Sequence, residues 1–277
     1  MMETISCQIC KSNSYEEYLS VRDRFNISDN YFQIVKCECN FIYLNPRPDE
    51  QEITKYYSNK AYSPHNKTNI FYKIAQSFSF RWKLKLINKY ANKNKQILDY
   101  GSGKGDFGDY LNKKGFNVDN YEPILDNLDN FKFLNDNKKY NIITLWHSLE
   151  HIHNLSKALG DIHSALDEKG YIFLAIPNID AAEKVFFNKG WVAYDAPRHL
   201  YHFNEESLSQ LLYRYNFKII ESKSILQDTF YNIYLSIQSK NFIIKLFKFI
   251  YIGFISFFTI LFNNNKSSSK LYICIKN

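Results

Sequence analysis

The chain is sparing with glycine, having nine among 277 residues, beside six prolines and two methionines. Glycine loses more freedom on folding than any other residue, so it is kept where the backbone turns sharply or approaches something closely. Four of the nine, Gly101, Gly103, Gly105 and Gly108, crowd into one short stretch. Other absences narrow what that stretch can bind. A dinucleotide fingerprint, G-x-G-x-x-G, fails because Asp106 stands where its third glycine belongs, and this disfavours pyrophosphate. The G-x-x-x-x-G-K-[ST] pattern of a phosphate-binding loop is also missing. No run of five or six basic residues marks a nucleic-acid arm. The balance of 35 Lys+Arg against 28 Asp+Glu leaves +7, which permits anionic partners without selecting one. Met1-Met2-Glu3-Thr4 has neither a basic start nor an apolar run behind it. No signal peptide is therefore expected, and a cytoplasmic protein with reduced thiols is the default.

What is present around the glycines is a strand, a turn and a helix. Gln96-Ile97-Leu98 closes a buried strand, and Phe107, Tyr110 and Leu111 share a helix face downstream. Lys113-Lys114-Gly115 supplies cations in the last turn and a glycine just after it. The run Ile97-Leu98-Asp99-Tyr100-Gly101-Ser102-Gly103-Lys104-Gly105 resembles motif I of class I S-adenosylmethionine (SAM)-dependent methyltransferases. The resemblance implies that Gly101, Gly103 and Gly105 wrap the methionine part of SAM while Asp99 helps hold its cationic end.

Phe116 to Tyr121 alternates as a second strand and ends in Glu122. A carboxylate there, about 20 residues beyond the glycines, can accept from both ribose hydroxyls, and the same family keeps its ribose-binding acid at this place. Between Glu122 and Tyr140 the pattern weakens. The helix and third strand expected there look shortened or missing, and Asp136 is a candidate for the family's adenine contact. It recovers in Tyr140 to Trp146, followed by His147-Ser148-Leu149-Glu150-His151, a helix through Leu155, Leu159, Ile162 and Leu166, a turn at 167–170 and a strand from Tyr171 to Ile176. That block resembles the fourth and fifth strands of the same family, nearest in motif to the ubiquinone-type O-methyltransferases. Trp146 and His147 are assigned with the cofactor site. Glu150 and His151 would complete a metal site with His147, or merely orient a loop.

The loop from Trp191 to Phe203 is dense in residues that titrate, stack or bind anions, and it follows the carboxyl end of a strand, where α/β sheets take their ligands. His199, His202 and His151 are the general-base candidates, since neutral imidazole can take a proton at cellular pH. Arg198 is a candidate clamp for an anionic group on the acceptor, and Asp228 and Tyr231 are candidates to line its pocket. A helix is predicted from Asn204 to Tyr215 and a strand from Phe217 to Glu221.

Four of five cysteines come as Cys7-x-x-Cys10 and Cys37-x-Cys39. Paired thiols in a reducing compartment point to zinc before disulfides, and zinc takes four such ligands tetrahedrally. The alternative is a knuckle of small buried cysteines. The arrangement resembles the zinc-ribbon-like N-terminus of some SAM methyltransferases, although C-x-C departs from the usual two-residue spacing. Cys274 stands alone as a core residue.

Between these parts lie a Tyr-rich connector (Tyr56, Tyr57, Tyr62, His65) and a helix from Phe71 to Tyr90 with Ile74, Phe78, Trp82, Leu86 and Tyr90 on one stripe. Near the end, Phe242 to Phe262 is apolar apart from a thin polar stripe and is long enough to span a bilayer. Leu271 to Ile275 looks like the last, antiparallel strand of the sheet, which would bring both ends of the apolar helix to one side of any membrane. Flanked by Lys240, Lys266 and Lys270, that helix would lie on an anionic membrane surface or be buried against protein.

The expected fold is α/β, a doubly wound, mostly parallel, Rossmann-like sheet with an antiparallel last strand, a small N-terminal Cys-rich appendage and an apolar helical insertion. The boundaries are 1–48 zinc-ribbon-like, 49–95 connector and leading helix, 96–225 SAM-binding core, 226–269 apolar insertion and 270–277 last strand. The expected function is SAM-dependent methylation, at oxygen, of a small-molecule, sugar or lipid-linked acceptor, in the cytoplasm or peripherally on the inner face of the membrane through 242–262. Two rivals stand beside it. One is a nucleic-acid methyltransferase, disfavoured because the Asn/Asp-Pro-Pro-Tyr/Phe motif is missing where the strand ends in Trp146-His147. The other is a non-catalytic, membrane-associated scaffold with a degenerate SAM site.

Overall fold

The computed structural model describes residues 1–58, 70–91, 96–122 and 138–277. The sequence candidates Tyr62, His65 and Asp136 lie outside them. In chain order come β1 (Met2–Glu3), β2 (Tyr15–Arg22), β3 (Tyr31–Cys37), β4 (Ile42–Leu44), β5 (Arg47–Pro48), α1 (Lys55–Ser58) and α2 (Ile70–Tyr90). Then follow β6 (Gln96–Tyr100), α3 (Asp106–Asn112), β7 (Asn117–Tyr121), β8 (Tyr140–Trp146), α4 (Leu155–Ala165) and β9 (Leu166–Pro177). The chain closes with α5 (Lys184–Phe187), β10 (Tyr201–His202), α6 (Glu205–Arg214), β11 (Phe217–Ser224), α7 (Leu226–Ser236), α8 (Phe242–Phe262) and β12 (Ser269–Lys276).

The main sheet runs β7-β6-β8-β9-β12-β11. Its first four strands are parallel, whereas β12 is antiparallel to both of its neighbours. Successive strand side chains point to opposite faces, and here both faces are covered. Leu98, Ile143, Leu174 and Tyr272 meet the apolar sides of α4 and α6. Ile97, Ile142, Phe173 and Ile273 meet α2 and α3. This is the three-layer, doubly wound arrangement expected from the alternation of strands and helices.

Three local expectations are corrected. The turn placed at 167–170 falls inside β9, which begins at Leu166 directly after α4, and it interrupts the pairing with β8 between Leu166 and Tyr171. In α2 the predicted stripe holds only in its C-terminal half: Trp82, Leu86 and Tyr90 pack inward, joined by Phe80, Leu84 and Ile87, while Ile74 and Phe78 are exposed. Only the C-terminal half of that helix has the sheet and α3 beneath it. Lys270 does not flank the apolar helix; it is fully buried in β12, where its ammonium binds Glu205 and Asn265.

The N-terminal segment is no loose appendage. β10 pairs with β4, so a second sheet, β10-β4-β3-β2, joins the cysteine-bearing segment to the loop after β9. Arg47 fixes the same junction, donating to Glu3, to the Tyr201 hydroxyl and to the His153 carbonyl at 2.7, 2.7 and 3.1 Å. Cys7, Ile34, Phe41 and Tyr43 belong to one continuous core with α4 and α6.

Candidate active site

β6 stands between β7 and β8, so chain order reverses at its carboxyl end, where crevices in such sheets take ligands. Gly101, Gly103 and Gly105 occupy that end with φ of +78°, +57° and +80°, the left-handed region that side chains with a Cβ rarely adopt. At Gly101 a Cβ would also stand 2.3 Å from Cβ of Ser148. The turn is held from below: Gly101 and Ser102 donate to the Tyr121 carbonyl, and Gly103 N donates to Oε2 of Glu122 at 2.9 Å. Glu122 therefore faces the glycine turn from the next strand, as the sequence places it. Ser102 Oγ, Asn120 Oδ1 and Trp146 Nε1 are buried around this turn without a hydrogen-bond partner among the described residues. Polar atoms orphaned beside a glycine cradle suit a ligand that brings its own donors and acceptors, as SAM does.

Beneath the turn, Asp99 is almost fully buried and its Oδ1 accepts from Thr144 Oγ1 at 2.5 Å. Burial pushes its pKa up to about 6, against the pull of the Thr144 bond and of Lys83. Lys83, from α2, lays its ammonium 4.2 Å from the centre of the Trp146 ring. Its pKa is pushed down to about 8 by burial, which Asp99 and Asp228 partly offset. Sequence reasoning missed Lys83 because it is one of several lysines on α2 and lies beside the apolar stripe, next to Trp82.

Across the crevice His147 sits at φ +54°, with Nε2 3.0 Å from Asp228 Oδ2 and Nδ1 3.6 Å from Glu150 Oε1. Enclosure would lower its pKa, but the two carboxylates outweigh that and hold it at about 10. Asp228, in the first turn of α7, thus belongs with His147, whereas Tyr231 is exposed on the outer side of that helix.

A second cluster lies behind His147. The Leu149–His151 segment is a single 3-10 turn, and it brings Glu150 and His151 together with His199. One ligand atom of each lies within 4.8 Å of the others. His199 Nδ1 is 2.8 Å from the Ala193 carbonyl and His151 Nδ1 is 2.9 Å from the Arg198 carbonyl. A carbonyl only accepts, so both Nδ1 atoms carry the proton, and in the neutral form of each ring Nε2 is the acceptor. The Tyr57 hydroxyl, 2.9 Å from His151 Nδ1, brings the connector into the cluster. Glu150 is fully buried and neither of its oxygens has a hydrogen-bond partner. Burial alone would raise its pKa, but His147, with His151 and His199 near, holds it below the usual carboxylate range. Burial, then His151, pushes His199 down to about 4. Such a set can share a proton or hold a divalent cation; in either case His199 takes the place the sequence gave to His147.

Two candidates are corrected. His202 is buried in β10, where burial pushes its pKa down to about 3, and it is not part of this cluster. Arg198 is no acceptor clamp: fully buried, it binds Asp23 at 2.7 Å and Asp195 at 2.8 Å, tying the loop to the N-terminal segment.

The four paired cysteines converge. The Sγ atoms of Cys7 and Cys39 are 3.6 Å apart, those of Cys10 and Cys37 3.4 Å, and all four lie within 4.8 Å of one another. A tetrahedral zinc with bonds of about 2.3 Å needs ligand sulfurs roughly 3.8 Å apart, so the donor set fits that ion. Burial pushes the Cys37 thiol up to about 11.

The Methyltransf_23 family model, a methyltransferase domain, matches residues 69–222, more than half of the chain. No curated protein matches it. Among solved structures, the 1,6-didemethyltoxoflavin-N1-methyltransferase of Burkholderia thailandensis is 14% identical, with a TM-score of 0.51 over 89% of this chain and 96% of its own. Magnesium protoporphyrin IX methyltransferase from Synechocystis PCC 6803 is 11% identical, with a TM-score of 0.49 over 83% and 100%. A SAM-dependent methyltransferase from Archaeoglobus fulgidus is 16% identical, with a TM-score of 0.45 over 75% and 100%. The first of these carries the likeness of fold; the glycine turn, Glu122 and the family match carry the rest, and the chain belongs to the class I SAM-dependent methyltransferases.

Proposed function

We propose that this chain methylates a hydroxyl of a small-molecule, sugar or lipid-linked acceptor. The carrying observation is the glycine turn closed on Glu122 through Gly103 N. A carboxylate accepts only, so on exchanging that bond for ligand hydroxyls Glu122 serves both oxygens of a ribose. Gly101 and Gly105 leave the room that the amino-acid end of the ligand requires, and Trp146 offers a ring face and a spare N–H. Asp99, whose charge is disfavoured by burial, regains it beside a cation. When bound, SAM supplies a methyl group on a positively charged sulfur, which is the driving force. Holding acceptor and methyl in line contributes about 7–11 kcal/mol. On the acceptor side, Nε2 of His199 or of His151 takes the hydroxyl proton, with Glu150 stabilising the imidazolium that forms. A base of this kind adds roughly 10²–10⁴-fold.

Within this reading residues 1–48 hold a structural zinc through Cys7, Cys10, Cys37 and Cys39, 49–95 form the connector and leading helix, 96–225 with 270–277 form the core, and 226–269 are the apolar insertion. The protein works in the cytoplasm, attached to the inner face of the membrane.

Titration calorimetry with SAM tests the site, and labelled SAM with an acceptor panel tests the chemistry. Glu122→Ala is expected to weaken SAM binding about tenfold or more, the loss of a charge-assisted bond. His199→Ala is expected to leave SAM binding intact and to cut turnover by about 10²-fold or more. Unchanged SAM affinity in Glu122→Ala overturns the ribose role, and a chain that binds no SAM overturns the whole reading.

A further inference from the structure

Helix α8 touches the protein along one narrow stripe. Of its 21 residues, Ile252, Gly253, Ser256 and Ile260 are buried. Gly253 allows a close approach to α7, since a Cβ there would lie 3.2 Å from the Phe230 ring. The polar side chains Lys245, Lys248, Ser256 and Thr259, spaced by three, eight and three residues, fall on that same side of the helix. The opposite side carries Phe247, Ile250, Phe254, Leu261 and Phe262, which expose 60–89% of their surface. Val185 and Phe186 of α5 and Tyr231 and Tyr234 of α7 add to it. An apolar surface of this extent marks an interaction site.

Topology and charge choose the occupant. α8 is about 31 Å long, yet α7 before it packs against it and β12 after it is buried between β9 and β11. With both ends tied to one body, the helix lies along a membrane and does not cross it. From Thr229 to the last residue the chain has no Asp or Glu, while Lys240 and Lys266 stand beyond the two ends of α8 and Lys245 and Lys248 lie along its polar side. A second copy docked there would set lysines against lysines. Anionic headgroups above acyl chains complement both features. Beside α8, an open groove of about 480 Å³ is lined by Phe187, Ile237, Tyr251 and Ile252 together with the polar Ser236 and Gln238, and Lys248 is its one charged lining residue. An ammonium beside a mixed polar and apolar groove suits a lipid headgroup phosphate.

We propose that α8, with the neighbouring edges of α5 and α7, lies in the plane of an anionic bilayer leaflet and presents the active site to a membrane-resident acceptor. α7 makes the connection. Its first turn holds Asp228 on His147, and its Phe230 packs on Gly253 of α8. The step from surface to site is therefore no longer than that helix, about 16 Å. The identity of the acceptor as a lipid-anchored molecule rests on the methyltransferase reading above, whereas the docking does not.

The test is flotation of the full chain with vesicles of phosphatidylcholine alone and with about a third phosphatidylglycerol. Binding is expected on the anionic vesicles, about tenfold weaker on the neutral ones and weakened by high salt. Lys245→Glu with Lys248→Glu is expected to lower binding about tenfold or more. In Phe254→Trp, brominated acyl chains are expected to quench the introduced indole. No flotation on anionic vesicles, or flotation with an unquenched indole, overturns the proposal, as does a stable dimer that buries this face and stays off the vesicles. Resistance to alkaline extraction would show a spanning helix and overturn it too. SAM calorimetry on the same samples separates the two readings: SAM bound without vesicle binding overturns the docking alone, and vesicle binding without SAM strikes the methyltransferase reading alone.

Discussion

His147 is held in a left-handed conformation at the end of β8 and is flanked by two acids that raise its pKa to about 10. A raised folded pKa contributes stability that is complete below the unfolded value of about 6.5 and is lost as pH climbs through the folded one. In NMR titration His147 is expected to stay protonated at pH 8, and Asp228→Asn to return its midpoint toward the ordinary value. The stability gap between the two proteins is expected to be full below about pH 6.5, to shrink above that and to vanish beyond about pH 10. A midpoint in Asp228→Asn as high as in the parent would show that Asp228 is not the cause. At this scale the sequence is most legible where partners are near in the chain. Gly101, Gly103 and Gly105 are recognisable from spacing alone, and Glu122 from its distance beyond them. His199 is recognisable as chemistry, but its partners Glu150 and His151 are set by how two distant loops fold together. Arg198 shows the opposite error. An arginine in a polar loop resembles a ligand clamp until Asp23, 175 positions away, is found against it.

Among the elements, the cysteine knuckle and the sheet it feeds give the sharpest expectation. Four thiols within 4.8 Å of one another cannot all ionise without a cation between them. One zinc per chain is expected by elemental analysis. Stripping it should lower the unfolding temperature, because metal bound only by the folded state adds its binding free energy to stability. Cys10→Ser should lower zinc content and unfolding temperature together, and a chain that is metal-free and equally stable would remove zinc from the account. The order of strands and helices was readable because α/β alternation repeats strongly, but edges were less so. β9 carries Asp167 to Gly170 as a bulge: Leu166 pairs with Tyr140 and Tyr171 with Ile142, and the four residues between, which have every mark of a turn, lie outside both pairings. On α2 only the C-terminal half of the stripe, Trp82, Leu86 and Tyr90, is covered, since periodicity shows that a helix has an apolar side and the neighbours decide how much of it is buried.

The molecule as a whole is less divided than its sequence suggests. Residues 1–48 have the composition of a detachable module, yet Cys7, Ile34, Phe41 and Tyr43 share a core with Leu174 and Tyr272 of the main sheet. Deleting residues 1–48 is expected to yield a chain without a cooperative thermal transition, because that core and the pairing partner of β10 would be stripped to water. A truncated chain that melts sharply and binds SAM as tightly as the parent would show the segment to be separable after all. Only the last apolar segment keeps the independence the sequence implied, with most of its surface outside the shared core.

The strand pair β4 and β10 has a further bearing on how this protein comes into being. Arg47 and Tyr201, which hold that seam, are separated by 154 positions. A ribosome releases the first long before the second, and contacts so remote in sequence close slowly. The cysteine-bearing segment is complete early, but its sheet must wait, one edge bare, until most of the polypeptide has been translated.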